Sequence, residues 1–141
     1  MSTPEVLIHH DAMLLARAAA ARLVTCLVDR QAAAGSASLV LTGGGIGTAV
    51  LAELAAAPAR DAVDWRLLDI WWGDERFLPA GHRERNETGA REALLRHLDA
   101  DPARVRPRGT PAGWRRQPSR RITARYRRST CCCSASARTG M

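Results

Sequence analysis

The pattern of apolar and polar positions along this chain predicts three helices. A 3.6-residue period covers residues 12–34, where Asp11 can cap the start and Gly35 can end the helix. Helical patterns return at residues 47–57, which stop before a proline, and at residues 87–98. Shorter apolar runs separate these segments.

These shorter runs have the length of strands. Residues 38–42 and 65–72 are expected to form buried strands, because each run is largely apolar and is followed by glycine. Residues 5–9 could form a further short strand before the first helix. Strands and helices then alternate in the order β-α-β-α-β-α. This order predicts an α/β fold: a Rossmann-like parallel sheet with flanking helices and right-handed crossovers, truncated at its end.

A glycine run follows the strand predicted at residues 38–42. It consists of Gly43, Gly44 and Gly45, after Thr42. In a strand–turn–helix unit, backbone N–H groups and the helix N-terminus can receive a phosphate, and glycine lets the backbone approach the anion. The run has neither the Gly-Lys-Ser/Thr of a P-loop nor the spacing of a dinucleotide fingerprint. An ordinary tight turn is therefore an equal alternative.

Charged residues follow the strand predicted at residues 65–72. Asp74, Glu75 and Arg76 come directly after Gly73, where the strand would leave the sheet. Ligands of open α/β sheets bind just beyond the carboxyl ends of the strands. Arg76 is suited to a phosphate or carboxylate, because a guanidinium forms paired charge-assisted hydrogen bonds. Asp74 could orient a histidine or a water, although a solvated charge cluster is the alternative.

Asn86 has two possible roles. It precedes the helix predicted at residues 87–98, where asparagine is a favourable N-cap. It could also be a polar residue of the site. The cap is the preferred interpretation, and the two roles are compatible.

Basic residues are unevenly distributed, and all 21 of them are arginine. Residues 1–101 contain all fourteen acidic residues, whereas residues 102–141 contain eleven arginines and no acid. The last part of the chain shows neither helical nor strand periodicity, so residues 111–141 are expected to form a basic, disordered tail. Such a tail could bind nucleic acid by neutralising phosphates, and this is the alternative function that the composition allows.

Other features favour a cytoplasmic protein. No apolar run approaches the roughly 18 residues that span a membrane, and the N-terminus lacks a secretory signal pattern. The cysteines at residues 131–133 have no metal-ligand spacing, so no metal site is expected. The oligomeric state is not indicated.

Residues 1–110 resemble the N-terminal part of the 6-phosphogluconolactonase family, which is related to glucosamine-6-phosphate deaminase. Residues 42–45 are similar to the family's Ser/Thr-Gly-Gly-Ser/Gly turn, and residues 72–79, Trp-Gly-Asp-Glu-Arg-Phe-Leu-Pro, match its most specific block. Asn86 lies on the family's asparagine. The deaminase branch has Asp-Glu-Tyr instead of Asp-Glu-Arg, so Arg76 favours the lactonase over a sugar-phosphate isomerase or deaminase.

The resemblance implies hydrolysis of 6-phosphoglucono-δ-lactone to 6-phosphogluconate in the pentose phosphate pathway, with no metal or cofactor. No specific nucleic-acid partner is expected, because shifted frames of GC-rich genes routinely yield arginine. It implies that Arg76 and Asn86 bind the substrate and that the glycine turn shapes the pocket floor. Asp74 would orient a catalytic histidine, which the family carries in a Gly-Pro-Asp-Gly-His segment. This sequence lacks that segment. We therefore expect the 141-residue chain to have little or no lactonase activity.

A shifted reading frame would account for the missing segment. GC-rich codons for residues 131–141, read one base earlier, translate as an apolar residue followed by Leu-Leu-Leu-Gly-Val-Gly-Pro-Asp-Gly-His. The same shift turns the arginine-rich residues 114–121 into an alanine-rich stretch. We therefore expect a frame break between about residues 107 and 114, which the nucleotide sequence of the gene would decide.

Overall fold

A computed structural model describes residues 6–109 of the chain. The predicted tail, residues 111–141, lies outside the described residues. Helices and strands alternate along the described part. The helices are α1 (Ala12–Ala34), α2 (Gly45–Ala56) and α3 (Asn86–Ala93), and the strands are β1 (Ala37–Leu41), β2 (Leu68–Trp72) and β3 (Val105–Arg106). Short 3₁₀ turns lie at Pro58–Ala62, Trp65–Leu67, Leu95–His97 and Pro102–Arg104.

Helix α1 has the bounds that its sequence pattern predicts. Asp11 accepts a hydrogen bond from the Leu14 N–H at 2.7 Å, and Gly35 ends the helix in the left-handed region at φ 72°. One face of the helix is buried, and its residues recur at intervals of three or four: Ala16, Ala20, Val24 and Leu27. None of the helices within residues 6–109 is both long enough and apolar enough to traverse a bilayer.

The sheet is parallel throughout its described strands, in the order β1-β2-β3. Leu41 pairs with Trp72 at the ends of β1 and β2, and Ile70 pairs with Val105 of β3. The predicted α/β fold with a parallel sheet is therefore confirmed. Because parallel strands run in the same direction, the loops that follow β1 and β2 leave the sheet at the same edge.

One face of the sheet holds the core. Inward-facing side chains of β1 and β2 share a buried cluster with residues of all three described helices; the strand residues are Ala37, Leu41, Leu68, Ile70 and Trp72. On the opposite face Val40 is 63% exposed and Trp71 is 40% exposed. The Arg106 guanidinium lies 4.7 Å from the Trp71 ring centroid, which places a cation over an aromatic face.

The strand predicted at residues 5–9 is wrong over its described part, residues 6–9. This segment is irregular, and Val6 and Ile8 are 82% and 91% exposed. A run this short forms a strand only when a neighbouring strand supplies hydrogen bonds. Within the described residues no strand pairs with it, so the order of elements begins with α1.

The strand predicted at residues 65–72 begins three residues late, at Leu68. Asp64 is the reason, because its carboxylate accepts the Arg66 N–H at 3.0 Å and closes a 3₁₀ turn. The Trp65 indole N–H also donates to the Arg60 carbonyl at 3.0 Å. Trp65, whose aromatic side chain suggested a strand, is thus buried although it lies in a 3₁₀ turn.

The helix predicted at residues 87–98 ends earlier than its pattern suggests. α3 spans Asn86–Ala93, Leu94 leaves the helical region at φ −133°, and a 3₁₀ turn follows at Leu95–His97. Leu94 and Leu95 are nonetheless both buried. The apolar period therefore predicts the burial of this segment correctly, but the change of backbone geometry lies outside what a period can indicate.

Candidate active site

Two loops form the candidate site at the carboxyl edge of the sheet. Residues 42–45 follow β1, and residues 73–76 follow β2. The loops are joined by a hydrogen bond from the Gly73 N–H to the Leu41 carbonyl, at 3.0 Å. A β-carbon on Gly73 would lie 3.5 Å from Val40 Cγ1, so this glycine lies against the end of β1. The glycine turn and the charged block are neighbours, as the sequence predicts.

The glycine turn leads directly into α2, which begins at Gly45 rather than at the predicted residue 47. Gly44 is the N-cap residue, at φ 85° and ψ 165°, a conformation that only glycine adopts readily. No side chain caps this helix. The N–H groups of the first turn therefore lack intrahelical acceptors at the positive end of the helix dipole, which suits an anion.

The conformation of Gly44 leads to a testable difference between adjacent glycines. We expect Gly44→Ala to lower the free energy of unfolding by about 1–3 kcal/mol, because alanine is strained at this positive φ. Gly45→Ala should be neutral or stabilising, because Gly45 is helical and a β-carbon there meets open space. Urea denaturation of both variants measures the difference, and an equal loss in both would contradict the assignment.

Glu75, not Asn86, supplies the hydrogen-bond acceptor for the first backbone N–H groups of α3. The N-cap residue is Arg85, whose side chain makes no capping hydrogen bond. The Glu75 carboxylate instead accepts the backbone N–H groups of Asn86 at 2.7 Å and Glu87 at 2.9 Å. The preferred interpretation of Asn86 as the N-cap is therefore wrong, because a residue eleven positions earlier supplies the acceptor. Local sequence gives no signal for a cap from so far away.

Arg85 is a buried cation that the sequence did not reveal. Its side chain is 0% exposed and donates to the carbonyls of Leu78 and Arg108, each at 2.9 Å. It also contacts Glu87 Oε2 at 3.1 Å and Glu75 Oε2 at 3.4 Å. Only its Nε lacks an acceptor among the described residues. Arg85 therefore ties the loop after β2, the start of α3 and the segment after β3 together.

The Asn86 side chain connects the two loops of the site. Its Nδ2 donates to the carbonyl of Asp74 at 3.2 Å and to Asp74 Oδ1 at 3.3 Å. On its other side it packs directly on Gly43, where a β-carbon would overlap the amide group. Asn86 thus contacts two other residues expected in the site, Gly43 and Asp74. Gly43 is required here because of this close approach.

Arg76 is exposed beside this cluster. Its backbone N–H donates to Glu75 Oε1 at 2.8 Å, which anchors its main chain. Among residues 6–109 its guanidinium makes no hydrogen bond or ion pair, so it is available to a ligand. No histidine of this described part hydrogen-bonds Asp74, whose carboxylate accepts from Asn86. The arrangement can hold an anion and an oriented carboxylate side by side.

This fold and this edge define a class: a parallel α/β domain with an uncapped helix N-terminus, an exposed arginine and an ordered carboxylate where ligands of such sheets bind. The chain belongs to the family of glucosamine-6-phosphate isomerases/6-phosphogluconolactonase, whose family model matches residues 10–129. The predicted membership is confirmed.

Relatives with similar sequences are named 6-phosphogluconolactonase, which agrees with this family assignment. The chain is 60% identical over 103 residues to 6-phosphogluconolactonase from Streptomyces coelicolor. The matched region covers 73% of this chain and 40% of that relative. It is 41% identical over 103 residues to the Mycobacterium tuberculosis 6-phosphogluconolactonase. This match covers 73% of this chain and 41% of that relative. The chain thus spans about two-fifths of the length of these relatives.

Solved structures agree on the fold. The structure of 6-phosphogluconolactonase from Trypanosoma brucei matches at a TM-score of 0.65 and 27% identity, covering 74% of this chain and 39% of that one. A 6-phosphogluconolactonase from Thermotoga maritima matches at a TM-score of 0.60 and 17% identity, covering 73% and 44%. At 17% identity the second match supports the fold alone.

Proposed function

We propose that this edge of the sheet is the substrate-binding part of a 6-phosphogluconolactonase site, which hydrolyses 6-phosphoglucono-δ-lactone to 6-phosphogluconate in the pentose phosphate pathway. The observation that carries the proposal is the convergence of Gly43, Asp74 and Asn86 beside Arg76, in a chain 60% identical to a relative of that name. Cytoplasmic localisation and the absence of a specific nucleic-acid partner belong to the same proposal.

Each residue has a proposed role in this chemistry. Arg76 binds the phosphate or the charge that develops on the lactone, because its guanidinium can form paired hydrogen bonds to oxygen anions. Gly43, Gly44 and Gly45 form the pocket floor and present backbone N–H groups. Asn86 contacts the substrate from between the loops. Asp74 would orient the family's general-base histidine, whose Gly-Pro-Asp-Gly-His segment this sequence lacks.

The 141-residue chain itself is proposed to bind the substrate class without efficient turnover. Its sequence lacks the Gly-Pro-Asp-Gly-His segment that holds the family's general base, and hydrolysis at neutral pH depends on that base. The frame-shift hypothesis and the nucleic-acid alternative both rest on the basic tail, residues 111–141, which lies outside residues 6–109. Deaminase chemistry is the less favoured alternative within the family, because Arg76 replaces its tyrosine.

Binding of 6-phosphogluconate tests the proposal. We expect isothermal titration calorimetry to detect binding by the purified chain, and Arg76→Ala to weaken it tenfold or more, since a charge-assisted hydrogen bond contributes about 1.5–3 kcal/mol. Arg83→Ala is the matched control, because Arg83 is an exposed arginine of the same loop. Lactone hydrolysis should stay close to the buffer rate.

Two results would contradict the proposal. One is no detectable binding of 6-phosphogluconate by a chain that circular dichroism shows to be folded. The other is equal weakening by Arg76→Ala and Arg83→Ala, which would indicate non-specific attraction. Tighter binding of a short single-stranded DNA that is lost on deleting residues 111–141 would favour the nucleic-acid alternative.

A further inference from the structure

Glu75 differs from its neighbours Asp74 and Arg76 because it does not face solvent. Its side chain is only 3% exposed, although it stands between two charged residues of the site. Three backbone N–H groups reach its carboxylate at 2.7–2.9 Å, those of Arg76, Asn86 and Glu87. A carboxylate saturated in this way has little capacity left for a ligand.

We propose that Glu75 is a positioning residue of the site, acting through Asn86. Its carboxylate holds the Asn86 backbone N–H at 2.7 Å, while the Asn86 side chain donates to Asp74. Adjacent residues of the loop thus hold Asn86 by both its main chain and its side chain. The amide is thereby fixed against Gly43. This inference rests on the proposed function, in which Gly43, Asp74 and Asn86 are substrate-facing residues.

The chemistry of the side chain explains why glutamate is required. An ionised carboxylate only accepts hydrogen bonds, and its two oxygens have about four acceptor sites. Here they receive three backbone N–H groups and lie 3.4 Å from Arg85. A glutamine would turn an NH₂ donor toward one of these N–H groups. An aspartate would keep the charge but withdraw the oxygens from the start of α3.

A purely structural ion pair is the competing explanation. In that case, loss of Glu75 would lower stability without changing the geometry of the loops in the molecules that remain folded. A positioning role requires instead that the Asn86 amide and Gly43 move when Glu75 changes. Readouts at those two residues therefore separate the explanations.

Glu75→Gln and Glu84→Gln form a matched pair of variants. Both remove one carboxylate from the same loop, but Glu84 is exposed. In ¹⁵N NMR spectra of the folded full chain, we expect Glu75→Gln to shift the Gly43 backbone amide and the Asn86 side-chain amide. It should also weaken 6-phosphogluconate binding about tenfold, the effect of losing one charge-assisted hydrogen bond at the site. Glu84→Gln should change neither.

The outcomes are separable. Unmoved Gly43 and Asn86 signals in folded Glu75→Gln overturn the positioning role. If the wild-type chain binds no 6-phosphogluconate, the proposed function fails, while the NMR shifts still decide the positioning role. If Glu75→Gln does not fold, Glu75→Asp replaces it, with the same shifts expected. In the wild-type chain, the Asn86 and Glu87 backbone amides should exchange slowly with D₂O; rapid exchange at both would also overturn the inference.

Discussion

Replacing Arg85 with methionine is expected to lower the free energy of unfolding by about 3–5 kcal/mol. This is a large fraction of the total free energy of unfolding of a typical domain, which is about 5–15 kcal/mol. The Arg85 side chain is fully buried against the carboxylates of Glu75 and Glu87. Methionine fills similar space but leaves the buried Glu75 carboxylate without its cation, whereas Glu87 keeps its ion pair with Arg91 at 2.9 Å. Urea denaturation followed by far-UV circular dichroism measures the loss.

Two controls identify the cause of that loss. Arg83→Met changes an exposed arginine of the same loop and should alter stability by less than about 0.5 kcal/mol. The double variant Arg85→Met/Glu75→Gln should recover part of the stability, because removing both partners leaves less uncompensated charge. If Arg83→Met is as destabilising as Arg85→Met, the buried cluster is not the source.

Gly43→Ala is expected to lower the free energy of unfolding by about 1–3 kcal/mol, the range of overpacking in a filled space. The new β-carbon would overlap the Asn86 amide, which must then rotate away from Asp74. The backbone of Gly43 is not the obstacle, because its φ lies outside the positive region. The same change should weaken 6-phosphogluconate binding if the proposed function is correct.

A double-mutant cycle tests this contact. In an Asn86→Ala background the overlapping amide is gone, so Gly43→Ala should cost about 0.5 kcal/mol or less. The difference between the two backgrounds is the coupling energy between residues 43 and 86. Additive effects of Gly43→Ala and Asn86→Ala would show that the amide and the glycine do not meet in solution.

The two loops differ in how their proposed ligand-binding capacity would arise. At the glycine turn, capacity comes from the backbone, since Gly44 takes a glycine-only conformation and no side chain caps α2. In the loop after β2 this capacity would come from side chains, and the loop is held by the buried Glu75 and Arg85. The exposed Arg76 is therefore attached to a rigid base, because its N–H is bonded to Glu75. This support suits the binding role that we propose for Arg76.

The sequence by itself determined the α/β class, because the periods and the order of elements are local properties of the chain. It also determined α1, whose ends depend on Asp11 and Gly35, and the placing of the glycine turn beside the charged block. That placing follows from the shared direction of parallel strands, together with the pairing of β1 and β2 as neighbours. The sequence wrongly suggested a strand at residues 5–9, because a segment this short forms a strand only beside a pairing partner.

Only the tertiary structure decided the contacts of Glu75, Arg85 and Asn86. In the sequence Glu75 is one more charge of an exposed block and Arg85 one arginine among 21. In the structure the side chains of Glu75 and Arg85 are 3% and 0% exposed, and buried charges of opposite sign pair with each other. Their burial results from how the loop, the helix and the strand pack together. The cap of α3 likewise comes from residue 75, a contact between distant positions that no local pattern encodes.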